Sequence, residues 1–385
     1  MCKSTKGAQA PGAVALIDID PNTAVNPTPI TPTFTLQQYL NKAYAEALGT
    51  HELGAQPAND STASLHVPIS LYAHVRSGGN HFYAGIHDDE MHFSASLLKV
   101  AAMYAAFSLR AEARELAQTG GFANITAFFT ALGQQFNTND AVSAIRNAGP
   151  AVGLKPKYAD ILSVTGFGSG TLSVEFTNNF GDHLKAMIIP SDNSSAAQCI
   201  QRLGYAYINV KLMNGGFFDR TTNKGIWLAA DFAGGTRVEL DSINDGKAAQ
   251  VTTSRQIARL FSVIQLGTLI DSTHSEDMRK LLKDAVAVDA PWISRFGSRL
   301  YKFGGVKVGL ANLKPNTPPK GPDVYSEGIL LKWKGDAAKL TALNLTGDIA
   351  VCWQNLRKNA FDTGVPAIAK MIETTFANFL AQTPV

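Results

Sequence analysis

Apolar residues first recur at helical spacing in Leu36, Tyr39, Leu40, Ala43 and Ala47, which share one face of a segment that Thr35 can cap and Gly49 can end. The pattern then changes to strand. Residues 69–75 and 81–86 predict two strands joined by the turn signal Gly78-Gly79-Asn80. Helical spacing returns over 97–114, where Leu98, Ala101, Ala102, Ala105 and Leu109 line up. It recurs over 125–136, 195–213, 254–266 and 278–287. Strand character reappears at 305–309, 327–333 and 340–353, and residues 364–380 predict a closing helix. Strands at both ends of a helical middle predict an α+β fold: one antiparallel sheet built from N- and C-terminal strands, with helices on its faces. The expected division is an extended arm over 1–33, rich in Pro and Thr, a sheet lobe of 34–93 with 296–385, and a mostly helical lobe of 94–295. No repeat of fixed period is present.

Composition narrows the function without naming it. A 385-residue chain with 45% hydrophobic and 17% charged residues can bury a sizeable core. Its net charge of +3 calls for neither nucleic acid nor an anionic membrane. No apolar run reaches the length of a membrane span. Three cysteines, Cys2, Cys199 and Cys352, are too few and scattered for a disulfide framework or a zinc site, although a single Cys199–Cys352 bridge stays open. Residues 1–7 lack the apolar stretch of a signal peptide, which leaves a cytoplasmic protein and a chain without its targeting segment as equal expectations.

Candidate chemistry lies in three short motifs. In Ser96-Leu97-Leu98-Lys99, a helix start places the hydroxyl and the amine one turn apart on one face. A serine needs a nearby base to become nucleophilic, and a lysine serves once burial lowers its pKa. This is the only Ser-x-x-Lys in the chain, and Lys99 sits among apolar neighbours. Ser191-Asp192-Asn193 is by itself a good turn or helix cap. Lys307-Val308-Gly309 follows Gly304-Gly305 in a predicted strand.

Taken in this order the three resemble the motif set Ser-x-x-Lys, Ser-Asp-Asn and Lys-Thr-Gly of class A β-lactamases and penicillin-binding proteins. Residues 96–106 resemble that family's nucleophile helix. Val251-Thr252-Thr253-Ser254-Arg255 resembles the segment after its omega loop. The likeness extends over about residues 65–380 and implies a β-lactamase-like fold with its site between the lobes. It implies a serine acyl-hydrolase acylated at Ser96 by a β-lactam, a D-alanyl peptide or a related amide or ester. Lys99 would be the base and Ser191 a proton carrier. Asn193 would hold the substrate's amide and Lys307 its carboxylate. Backbone N–H groups of Ser96 and of Leu310, next to Gly309, would form the oxyanion hole.

The resemblance calls for no metal and no cofactor, and for a small-molecule or peptide partner bearing a carboxylate. It points to a periplasmic or secreted protein and leaves the oligomeric state open. Two departures stand out. Val308 replaces the usual hydroxyl residue, and the stretch between Lys99 and Ser191 carries extra chain near 120–179. The candidate deacylation base is Glu239, although the Leu-Asn that should follow it is out of register. The alternatives are a binding or sensor protein that is acylated or occupied without turnover, and an esterase on the same fold. Tyr207-Ile208-Asn209 reads as a packing element, and the acidic and histidine residues of 87–92 read as a solvated link.

Overall fold

The computed structural model describes residues 35–49, 67–76, 81–136, 142–149, 152–168, 170–243, 246–285, 298–306, 324–357 and 361–382. Its centre is a five-stranded antiparallel sheet in the order Ser298–Val306, Val324–Lys332, Leu345–Arg357, Ile69–Val75, Phe82–Ile86. Ile69 pairs with Trp353 and Ala73 with Ile349, so strands from the two ends of the chain lie side by side. This is the expected α+β arrangement.

The two-residue period decides which face each side chain takes. Ile69, Leu71 and Ala73, with Ile349, Val351 and Trp353 opposite them, point toward the helices Leu36–Gly49 and Phe361–Ala381. Tyr72, Ala350 and Cys352 point the other way and join the larger core. Both faces are therefore covered, which is why the strands read as nearly continuous apolar runs. Helix Ser254–Leu266 lies on that second face. Two hydroxyl contacts pin it there: Ser254 Oγ to Ser70 Oγ at 3.0 Å and Ser262 Oγ to His74 Nε2 at 2.7 Å.

The larger core surrounds helix Lys99–Gln118. Every residue from Lys99 to Arg110 is buried, so this helix is covered all round rather than amphipathic. Ala101, Ala102, Ala105 and Ala106 keep its surface thin, and other helices pack closely against it. Cys199 and Cys352 are buried free thiols, so they form no bridge.

Several expected elements differ in extent. The helix expected over 195–213 is two helices, Asn193–Leu203 and Tyr205–Asn214, separated by Gly204 with φ 82°. The strand expected over 340–353 begins only at Leu345, because Ala337–Ala342 form a helical turn and a bend follows at Asn344, φ 55°. The helix expected at 278–287 is Ser272–Lys283, started by Asp271, whose side chain accepts the His274 N–H. The extra chain before Ser191 holds a β-hairpin, Leu162–Thr165 with Ser173–Phe176, and the helix Asn178–Ile188. No helix among the described residues is long and apolar enough to cross a membrane.

Candidate active site

Ser96 owes its position to a small second sheet. Strand His92–Phe93 pairs with Gln250–Thr252, which pairs in turn with Trp227–Leu228. The chain leaves that sheet at Ser94, whose N–H donates to Gln250 O at 3.1 Å. Buried Gln354, from the main sheet, donates to Ser94 Oγ at 2.5 Å and to Thr252 O at 3.2 Å. One amide thus ties the two sheets together beside the turn. Ala95 then takes φ 43°, and residues Ala95–Leu98 form a 3₁₀ turn that leads into helix Lys99–Gln118. Between Met91 and Arg110 every residue is buried except Ser96. Ser96 is thus half-buried where its neighbours are buried.

Lys99, one turn on, is fully buried. Its ammonium donates to Ser191 O at 2.5 Å, Ser191 Oγ at 3.1 Å and Asn193 Oδ1 at 2.7 Å. The ring of Phe232 lies over it, 5.0 Å from Nζ to the ring centroid. Burial lowers the Lys99 pKa to about 8, and the Asp192 carboxylate opposes that shift only in part. At pH 7 roughly a tenth of the amine is then neutral.

The Ser191-Asp192-Asn193 segment is held as sharply as Ser96. Helix Asn178–Ile188 ends just before it, and Ser191 sits at φ 58°, a region that a residue with a Cβ enters only when its surroundings require it. Asp192 caps the next helix, its Oδ2 accepting the Ser195 N–H at 2.5 Å. That bond holds its carboxyl below the usual carboxylate range. The Asp192 N–H donates back to Ala186 O at 2.9 Å, closing the loop onto the preceding helix. With this backbone fixed, Ser191 and Asn193 both reach Lys99.

Of the residues expected at the site, the structure brings together Lys99, Ser191 and Asn193, with Ser96 on the adjoining turn. Lys307, Gly309 and Leu310 lie outside the described residues. The strand Ser298–Val306, which ends one residue before Lys307, runs beside the Ala95–Leu98 turn. Glu239 instead lines an open groove of about 590 Å³ with Asp89, Lys224, Asp241 and Lys247, a groove whose walls include none of Ser96, Lys99 or Ser191. Tyr207 and Asn209 are fully buried. Tyr207 donates to Glu112, and Asn209 donates to the carbonyls of Tyr205 and Leu228. Glu90 bridges His87 and His92, each at 3.1 Å. Phe232 went unnoticed in the sequence. The only signal there is Gly234-Gly235, which marks a turn but not what the turn touches.

Residues 159–290 match the family model of the β-lactamase enzyme family. That stretch contains the Ser191-Asp192-Asn193 loop and Phe232. No curated protein matches the chain. Solved structures similar to it include a β-lactamase from Sphaerobacter thermophilus, 14% identical with a TM-score of 0.47, covering 89% of this chain and 97% of the other. A class A β-lactamase from Mycobacterium abscessus is 15% identical with a TM-score of 0.44, over 88% of this chain and 99% of the other. A β-lactamase from Xanthomonas campestris is 15% identical with a TM-score of 0.46, over 88% and 97%. The family match over 159–290 and the motif residues gathered around Lys99 support a β-lactamase-like serine hydrolase family.

Proposed function

We propose that the protein is a serine acyl-transferring enzyme in which Ser96 attacks an amide or ester carbonyl. The observation that carries this is that Ser96 alone is only half-buried within the buried run Met91–Arg110, one turn ahead of a buried lysine of lowered pKa. In the attack, neutral Lys99 accepts the hydroxyl proton and a bond forms between Ser96 Oγ and the carbonyl carbon. The carbon–nitrogen or carbon–oxygen bond then breaks, and the leaving atom takes a proton passed through Ser191 Oγ, 3.1 Å from Lys99 Nζ. Asn193 is proposed to orient the substrate's amide, and Lys307 to receive its carboxylate. The N–H groups of Ser96 and Leu310 are proposed to hold the oxyanion. The substrate class is a β-lactam, a D-alanyl peptide or a related small amide or ester with a carboxylate.

A second reading, acylation without turnover, is favoured by one observation. Among the described residues, the hydrogen-bond acceptors at the Lys99 amine are neutral, from Ser191 and Asn193, and the ring of Phe232 lies over it. A fluorescent penicillin and a chromogenic cephalosporin separate the two. Colour release that Ser96→Ala abolishes supports a hydrolase, and a persistent Ser96 adduct supports the second reading. Cleavage of short acyl esters alone indicates an esterase. Labelling or hydrolysis that survives Ser96→Ala overturns the assignment of the nucleophile. Glu239→Gln in the same assay slows release of the label if Glu239 is the deacylation base and leaves it unchanged otherwise.

A further inference from the structure

Phe232 is a large residue at φ 62°, a conformation that costs a bulky side chain free energy and persists only where its surroundings dictate it. Asp231 supplies that constraint. Its buried carboxylate accepts the N–H of Ala233 at 3.0 Å and of Gly235 at 2.9 Å through Oδ1, and Gln201 Nε2 at 2.6 Å through Oδ2. A Cβ on Gly235 would stand 2.4 Å from Asp231 Oδ2, so a side chain there would push the carboxylate off its present contacts. Gln201 belongs to the helix that Asp192 caps. One helix therefore carries Asn193 at its start and the anchor of the Phe232 turn near its end. The outcome of this bracing is a half-buried ring, packed on the main core and seated over Lys99 Nζ.

We propose that the Asp231–Gly235 turn is a fixed apolar cover for Lys99, and that Phe232 is the positioning residue that keeps bulk water from the amine. The proposal rests on the reading of Lys99 as the base in the preceding section only for its catalytic meaning. The shielding itself is a property of the resting protein. Ser191 and Asn193 occupy polar sides of the amine, and the ring closes another. A ring face weakly attracts a cation, whereas exclusion of water disfavours one. Burial is the main cause of the lowered Lys99 pKa, the direction in which exclusion of water acts.

The test is an NMR titration of the full chain carrying ¹³Cε-labelled lysine, with the Lys99 signal assigned through Lys99→Arg. Phe232→Gly removes the ring and suits the positive φ, so the turn can form without strain. Phe232→Asn, which also tolerates that φ, serves as a second ring-free variant, and Phe232→Leu keeps an apolar cover. In the native protein Lys99 should titrate near 8, and in the Leu variant close to it. In the Gly and Asn variants the midpoint should rise by about one unit or more toward 10.5. A midpoint that ignores the loss of the ring in both variants overturns the proposal. The readout needs no acylation, so an inert Ser96 would refute the proposed function and leave the cover standing.

Discussion

On the proposed function, with Lys99 as the base for Ser96, the burial of Lys99 dictates a pH profile, because a lysine amine accepts a proton only while it is neutral. With a midpoint of about 8, the neutral fraction falls roughly tenfold for each unit below it. The rate of Ser96 acylation should rise with unit slope up to about pH 8 and level off above, as measured by rapid-mixing labelling. A profile flat between pH 6 and 8 would exclude Lys99 as the base. The linkage to folding runs in the same direction. Between about 8 and 10.5 the unfolded chain keeps a proton on Lys99 that the folded chain has lost, so stability gains up to about 1.4 kcal/mol per unit as pH rises through that window. The residues of this centre were largely legible in the sequence. Ser96, Lys99 and Ser191 sit in motifs that demand particular side chains, and the apolar neighbours of Lys99 announced its burial. Phe232 was not legible, because its contact with Lys99 arises from a turn braced by Gln201, thirty positions away.

At the scale of elements, the break between Asn193–Leu203 and Tyr205–Asn214 shows what periodicity leaves out. Apolar spacing continues across Gly204, so the pattern predicts one helix where there are two. The break comes from a close approach of two backbones. A Cβ on Gly204 would meet Gly153 O at 2.8 Å, and one on Gly153 would meet Gly204 Cα at 3.2 Å. Gly204 also holds φ 82° and ψ 141°, outside the range of ordinary residues. Gly204→Ala should therefore destabilise the protein by about 2 kcal/mol or more, from strain and clash together, read from a denaturant midpoint at unchanged slope. The change should also loosen the helix that carries Asn193. The start of Leu345–Arg357 departs from the pattern for another reason. Leu343 and Leu345 alternate like a strand, whereas Leu340, three positions before Leu343, belongs to a helical turn. Where the pattern persisted without a tertiary interruption, as in Ser254–Leu266, boundary and type agreed with the sequence reading.

The whole molecule is stitched along the seam between the main sheet and helix Ser254–Leu266, and that seam is sensitive to acid. His74 is enclosed there against Ser262, and burial, with His81 and Lys332 nearby, lowers its pKa to about 3. Between pH 3 and 6.5 the unfolded chain binds a proton at His74 that the folded chain refuses. Stability should therefore fall as pH drops through this window, by up to about 1.4 kcal/mol per unit from this residue. His74→Gln should flatten that part of the pH–stability curve in equilibrium unfolding, and an unchanged slope would show that His74 does not govern it. The architecture has one further consequence, in the time domain. Strand Leu345–Arg357 lies between Ile69–Val75 and Val324–Lys332, so the centre of the sheet is supplied long after Ile69–Val75 has been made. Until it emerges from the ribosome, Ile69–Val75 exposes an apolar edge with no native partner on that side. The pairing joins residues as far apart as Ile69 and Trp353, which makes closure slow compared with formation of the helices between. The nascent protein thus has its longest vulnerable interval at Ile69–Val75, a strand that later lies inside the sheet.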